Sequence, residues 1–132
     1  MILTIKTSEP KQILDITAEV TESLRKRSFT DGICLLFLSH TTAALTTADL
    51  DPGTDLDMLA AFEKIVPKLN YRHPHNPAHV PSHILSSLIG TSLVVPIDGG
   101  KLTLGTWQRI VLVELDGPKE REIVVSFMKD KS

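Results

Sequence analysis

Apolar and polar positions along the chain predict a series of short strands interrupted by three helices. ILTIK (2–6) and QILDI (12–16) read as strands. Thr17 then reads as the cap of a helix over 18–27, with Glu19 in its first turn and Lys26 and Arg27 near its end, where the helix dipole favours each charge. GICLLFLS (32–39) is apolar almost without a break, which predicts a strand buried on both faces. After His40 the run TTAALTT, rich in β-branched and small residues, predicts a further extended segment. Asp51-Pro52-Gly53 punctuates it, and a helix over 54–66 follows, with Leu56, Leu59, Ala60, Phe62 and Val66 within a helical period.

Residues 67–81 contain Pro67, Pro74, Pro77 and Pro81 and predict an irregular loop, long enough to suggest a functional role. Ser82 is the expected cap of a short helix over 83–89 that stops at Gly90. The remainder predicts strands at 92–97, 101–104, 108–115 and 122–127. A glycine pair at 99–100 supplies the first hairpin turn, and Asp116-Gly117-Pro118 a later one. This order of elements implies an α+β domain with a mixed, mostly antiparallel sheet and helices packed on it.

Length and composition narrow the picture without changing it. A chain of 132 residues is one domain by length and can bury a core without disulfides. The single cysteine, Cys34, excludes an intrachain disulfide and reads as a small buried hydrophobe. A net charge of −2 with no dense basic run argues against nucleic acid or an anionic membrane surface as partner. No apolar run approaches the roughly 20 residues that span a bilayer, and the N-terminus lacks a signal-peptide pattern, so a cytoplasmic protein is expected.

The candidate chemistry begins with the histidines, all of which fall between 40 and 83. Imidazole is the commonest metal ligand, and a catalytic zinc needs three protein ligands and an open position. His40 at a strand end, His73 in the loop and His83 at a helix start supply three if the fold brings them together. Their spacing matches no short zinc motif, and His75 and His79 read as solvated loop residues. On the helix at 83–89, His83, Ser86, Ser87 and Gly90 share the face opposite the apolar one. That face is either solvated or lines a pocket. Asp49 and Asp51 precede the helix at 54–66 and suit its positive end. Glu114 shares a side with Ile110 and Leu112 in an alternating apolar run, which is costly unless the carboxylate is paired, reaches solvent or serves a site.

The segment Gly105-Thr106-Trp107-Gln108 opens the strand at 108–115 and contains the one Trp of the chain. Gly105 permits close approach, Trp107 offers a flat stacking surface, and Gln108 can both donate and accept. The same segment is equally at home in a core or a subunit contact.

These residues resemble the YjbQ family. Ser92, the aliphatic alternation after it, Gly100, and Gly105-Thr106-Trp107-Gln108-Arg109-Ile110 match the family signature completely. HTTAALT (40–46), NYRH (70–73) and VPSHILSSLIGTSL (80–93) resemble its other blocks, so the likeness spans nearly the whole chain. Two stretches depart from it. The segment from Thr47 to Pro52 is one residue shorter than usual, with Asp49 nearest the family's glutamate. Ala78-His79-Val80-Pro81 replaces an Asp-Asp-Met-Pro.

The resemblance implies a sheet-and-helix sandwich assembled as a homotrimer. It implies a pocket of His40, Thr41, Thr42, His73, His83 and the Gly-Thr-Trp-Gln segment holding a divalent metal, zinc or magnesium. It further implies an enzyme acting on a small phosphorylated substrate, with the thiamine-phosphate synthase reaction and its pyrophosphate release as the linked activity. In that scheme His40, His73 and His83 hold the metal or the phosphate groups. Thr41, Thr42, Ser86 and Ser87 bond phosphate oxygens, and Asp49 or Glu114 orients an imidazole or acts as base. A non-catalytic metal- or ligand-binding module and a metal-dependent phosphoester hydrolase are the alternatives.

Overall fold

The computed structural model describes residues 1–130. Its strands form two antiparallel sheets. The larger has the order β1 (Ile2–Lys6), β8 (Glu120–Lys129), β3 (Gly32–Leu38), β5 (Ser92–Asp98), β6 (Lys101–Leu102). The smaller is β2 (Gln12–Asp15), β7 (Arg109–Glu114), β4 (Ala43–Ala48). The α+β class is as expected, but the strands are divided between two sheets and every pairing is antiparallel.

Strand periodicity explains the layering. The inward residues of β3 and β8, among them Cys34, Leu36, Ile123 and Val125, pack against Leu45, Ile110 and Leu112 of the smaller sheet. Helix α1 (Thr17–Arg27) closes this core with Ile16, Val20 and Leu24, spaced four apart so that they share one face. Each such aliphatic contributes about 1.5–3 kcal/mol by leaving water. Burial also pushes the Cys34 thiol up to about 11, consistent with an inert hydrophobe. Val111, Val113 and Leu115 point the other way into a second cluster, covered by α2 (Thr54–Ile65) and α3 (Val80–Ile89). The outer face of the larger sheet is uncovered in the single chain, leaving Ile2, Phe37, Val94 and Met128 about half exposed.

Both predicted caps fall elsewhere. Helix α1 begins at Thr17 itself, whose hydroxyl accepts the Ile110 N–H at 2.9 Å. Helix α3 begins at Val80, so Ser82 lies inside it, buried, and donates its hydroxyl to the Leu115 carbonyl at 2.8 Å. In both cases a buried tertiary partner outcompetes the local capping bond. The proline-rich loop contains one 3-10 turn, Pro77–His79, with the Asn76 side chain accepting from Ala78 N–H. Strand β8 is longer at both ends than expected, and β6 is shorter.

No helix among the described residues is long and apolar enough to cross a membrane.

Candidate functional site

The chain passes from the larger sheet to the smaller between Leu38 and Ala43, and that crossover carries His40, Thr41 and Thr42. A cleft of about 390 Å³ lies over it, lined by Phe37, His40, Thr41, Ser86 and Ser87 among others. A shallower depression of about 490 Å³ adjoins through Thr41 and is lined by Tyr71, Arg72, His73 and His83. The fold therefore gathers the three histidines around one short crossover, although they are far apart in sequence.

Hydrogen bonding fixes what each ring offers. His40 Nε2 receives the Glu122 N–H at 2.9 Å, so in the neutral ring the proton sits on Nδ1. Burial, followed by the nearby Arg121 charge, holds the pKa of His40 below its ordinary value and favours that neutral ring. His73 Nδ1 faces two backbone donors, His75 N–H at 3.3 Å and Asn76 N–H at 3.2 Å, which places its proton on Nε2. His83 Nδ1 lies 3.0 Å from the Thr41 carbonyl and must donate to it, leaving a lone pair on Nε2. The rings of His73 and His83 stack in parallel, 5.2 Å apart and 10° from coplanar orientation. The neutral rings of His40 and His73 thus each carry one N–H not used by the backbone, and that of His83 one free acceptor nitrogen.

This corrects the expected zinc centre of His40, His73 and His83. Three neutral ligands would need three free nitrogen lone pairs, and in this bonding pattern only His83 supplies one. Among the described residues no three His, Cys, Asp or Glu side chains are grouped to hold a metal ion.

Beneath the crossover lies a buried ion pair that the sequence analysis half anticipated. Glu114 on β7 is fully buried and accepts from Arg121 Nε at 2.8 Å, from Arg121 Nη2, from the Thr7 hydroxyl at 2.8 Å and from Asp116 N–H at 3.0 Å. Arg121 on β8 is only 1% exposed, and its Nη2 also donates to the Thr42 carbonyl at 3.0 Å and hydroxyl at 2.9 Å. The pair joins the two sheets and holds the crossover from below. Burial alone raises the Glu114 pKa. The bonds from Arg121, Asp116 and Thr7 outweigh it and hold the carboxyl below its ordinary range. Glu114 is therefore a structural anion rather than a base, and Thr42 is committed to Arg121.

Ser86 is likewise committed: it is buried and donates to the Ala43 carbonyl at 2.7 Å, while Ser87 is exposed at the cleft.

The Gly-Thr-Trp-Gln segment lies elsewhere. Thr42 immediately precedes β4 and Thr47 lies near its far end, and five residues of strand at about 3.4 Å each separate them by roughly 17 Å. Gln108 donates to the Thr47 hydroxyl at 2.9 Å, and its carbonyl accepts the Gly105 N–H at 3.0 Å, so its amide closes the local turn. Thr106 is exposed, and Trp107 is 72% exposed. Asp49 sits at this same end, where its carboxylate accepts the Asp51 N–H at 3.0 Å. The expected single pocket of histidines, Trp107 and Asp49 is not formed within one chain. Arg72, which lines the depression with His73, and Arg121, which holds the crossover from below, were not singled out from the sequence.

A two-sheet α+β domain with a histidine-lined sheet crossover defines the class of protein in structural terms. The chain belongs to the YjbQ-like UPF0047 family, whose model matches residues 1–130. A UPF0047 protein of Archaeoglobus fulgidus is 40% identical over 95% of this chain and 98% of its own length. UPF0047 protein YugU of Bacillus subtilis is 36% identical over 96% of each. Among solved structures, a YbjQ-like protein of unknown function from Sulfolobus solfataricus superposes with a TM-score of 0.91 at 32% identity, covering 98% of this chain and 96% of its own. An uncharacterized family member from Clostridium acetobutylicum gives 0.88 at 37%, covering 97% and 99%.

These relatives overturn the expected activity. The Clostridium and Sulfolobus proteins are uncharacterized and of unknown function, the other two carry only the family name, and none supports thiamine-phosphate synthesis, group transfer or phosphoester hydrolysis. The zinc expectation falls with the absence of a three-ligand cluster among the described residues.

Proposed function

We propose that the chain binds a small oxyanion-bearing ligand at the crossover, with imidazole N–H groups serving as hydrogen-bond donors. The observation that carries this reading is the proton placement on His40 and His73, each of whose other ring nitrogen accepts from the backbone. Neutral imidazoles so arranged favour acceptor oxygens, and the His83 Nε2 lone pair suits a ligand that also carries one O–H. Arg72 beside His73 adds a positive charge to the same depression. Ser87 supplies a hydroxyl at the cleft lined by His40.

Calorimetric titration with inorganic phosphate tests the reading. Saturable binding is expected, weakened about tenfold by His40→Ala or by His73→Ala, each substitution removing roughly one charge-assisted hydrogen bond. Binding that survives both substitutions unchanged, or no binding at millimolar phosphate, would reject it.

A further inference from the structure

A separate cavity lies over the second apolar cluster, lined by neither His40, His73 nor His83. Helix α2 covers the apolar cluster there only in part: none of its residues is fully buried, and Leu56 and Ile65 remain 67% and 59% exposed. Beneath its C-terminal end, against the start of α3 and the end of β7, a cavity of about 260 Å³ opens. Phe62, Val66, Pro81, Leu85 and Leu115 form its apolar wall. The one hydroxyl in that wall, on Ser82, already donates to the Leu115 carbonyl at 2.8 Å. The interior therefore offers apolar surface and little hydrogen bonding, which suits the hydrocarbon part of a ligand.

The rim is different. Lys11 and Lys68 stand at the mouth, and neither enters a salt bridge among the described residues. Of the two carboxylates there, Asp116 is held by Lys119 at 2.9 Å and lies 3.8 Å from His79 Nε2, leaving Glu63 to oppose two ammonium groups. The mouth thus has an excess of positive charge over an apolar floor. The volume is slightly below the range of about 300–1,000 Å³ found for pockets that take drug-sized ligands, so the occupant is smaller than a nucleotide.

We propose that this cavity is a second ligand site, for a small monocarboxylate whose body is a phenyl ring or a short branched chain. The apolar body replaces the packing that α2 leaves incomplete, and the carboxylate meets Lys11 and Lys68, whose flexible stems let the two charges converge. This site is independent of the oxyanion reading at the crossover.

Methyl-resolved NMR titration of the full chain with phenylacetate, beside the neutral phenylacetamide, tests it. Saturable shifts of the Val66, Leu85 and Leu115 methyls are expected, with phenylacetamide binding about tenfold more weakly. Replacing both lysines (Lys11→Ala with Lys68→Ala) should bring phenylacetate down to the level of the amide. Both lysines are exposed, so the urea midpoint should not move. The proposal fails if those methyls show no saturable shift, if acid and amide bind alike, or if the only responses are at the rings of His40, His73 and His83. The last pattern would leave the crossover site standing while removing this one.

Discussion

Replacing Glu114 with Ala is expected to cost about 3–5 kcal/mol of folding stability, because it leaves the Arg121 guanidinium buried and unpaired. Arg121 cannot escape to solvent: it is 1% exposed and enclosed by both sheets. Arg121→Met alone should cost a comparable amount, since it strands the Glu114 carboxylate and removes the donor to the Thr42 carbonyl and hydroxyl. The double variant Glu114→Leu with Arg121→Met removes both charges and should recover most of the loss, as replacement of buried ion pairs by apolar residues often does. Urea unfolding at pH 7 checks all three. A loss below about 1 kcal/mol for Glu114→Ala would show that the pair does not staple the sheets.

The same pair sets a pH dependence. The folded carboxyl titrates below its ordinary 4.5, so the pair stabilises fully above that value. The contribution is then lost as pH falls through the lowered folded value. Wild-type stability should therefore decline steeply below about pH 4.5, and the double variant should decline less over the same window.

Gly32→Ala should be almost as damaging, at about 3 kcal/mol or more. The backbone there has φ of +146°, a conformation rarely adopted by residues with a side chain, and an added Cβ would sit 1.9 Å from the Met128 carbonyl oxygen. Gly32 pairs with Lys129 on one side and Ile97 on the other, so β3 cannot move away without breaking the centre of the larger sheet. The expected result is a lower thermal midpoint. An unchanged midpoint would mean that β3 and β8 separate more easily than their register implies.

Much of this architecture is legible in the sequence, for identifiable reasons. The continuous apolar run at 32–39 correctly implies a strand, but not one buried on both faces: Cys34, Leu36 and Leu38 are buried, while the face with Ile33, Leu35 and Phe37 is only partly covered in the single chain. The alternation at 109–115 isolates Glu114 as anomalous. The partner was missed because the last strand was started at 122. Extending the alternation of Ile123 and Val125 back by two positions puts Arg121 on the same inward face, one charge answering the other. The hydroxyls of Thr17, Ser82 and Ser86 misled in a different way. Local rules assign them to caps or to a ligand, whereas each is bonded to a backbone group of β4, of β7 or of Leu115 just beyond it.

His73 and His83 stack in one depression while His40 lines the adjoining cleft, and their chemistry depends on which nitrogen each backbone group occupies, information that residue spacing does not carry. The Gly-Thr-Trp-Gln segment and Asp49 join them only through what the resemblance implies. The antiparallel pairing of β4 with β7 sets them at opposite ends of the same strands.

The central claim is that His40 and His73 present protons, rather than lone pairs, to whatever occupies the crossover. Nitrogen-15 NMR of the imidazole rings at pH 7 measures this directly. The account predicts an Nδ1–H tautomer for His40 and an Nε2–H tautomer for His73, with both N–H protons shifting on addition of phosphate. A His40 ring protonated on Nε2, or rings that respond to added divalent metal and ignore phosphate, would contradict it.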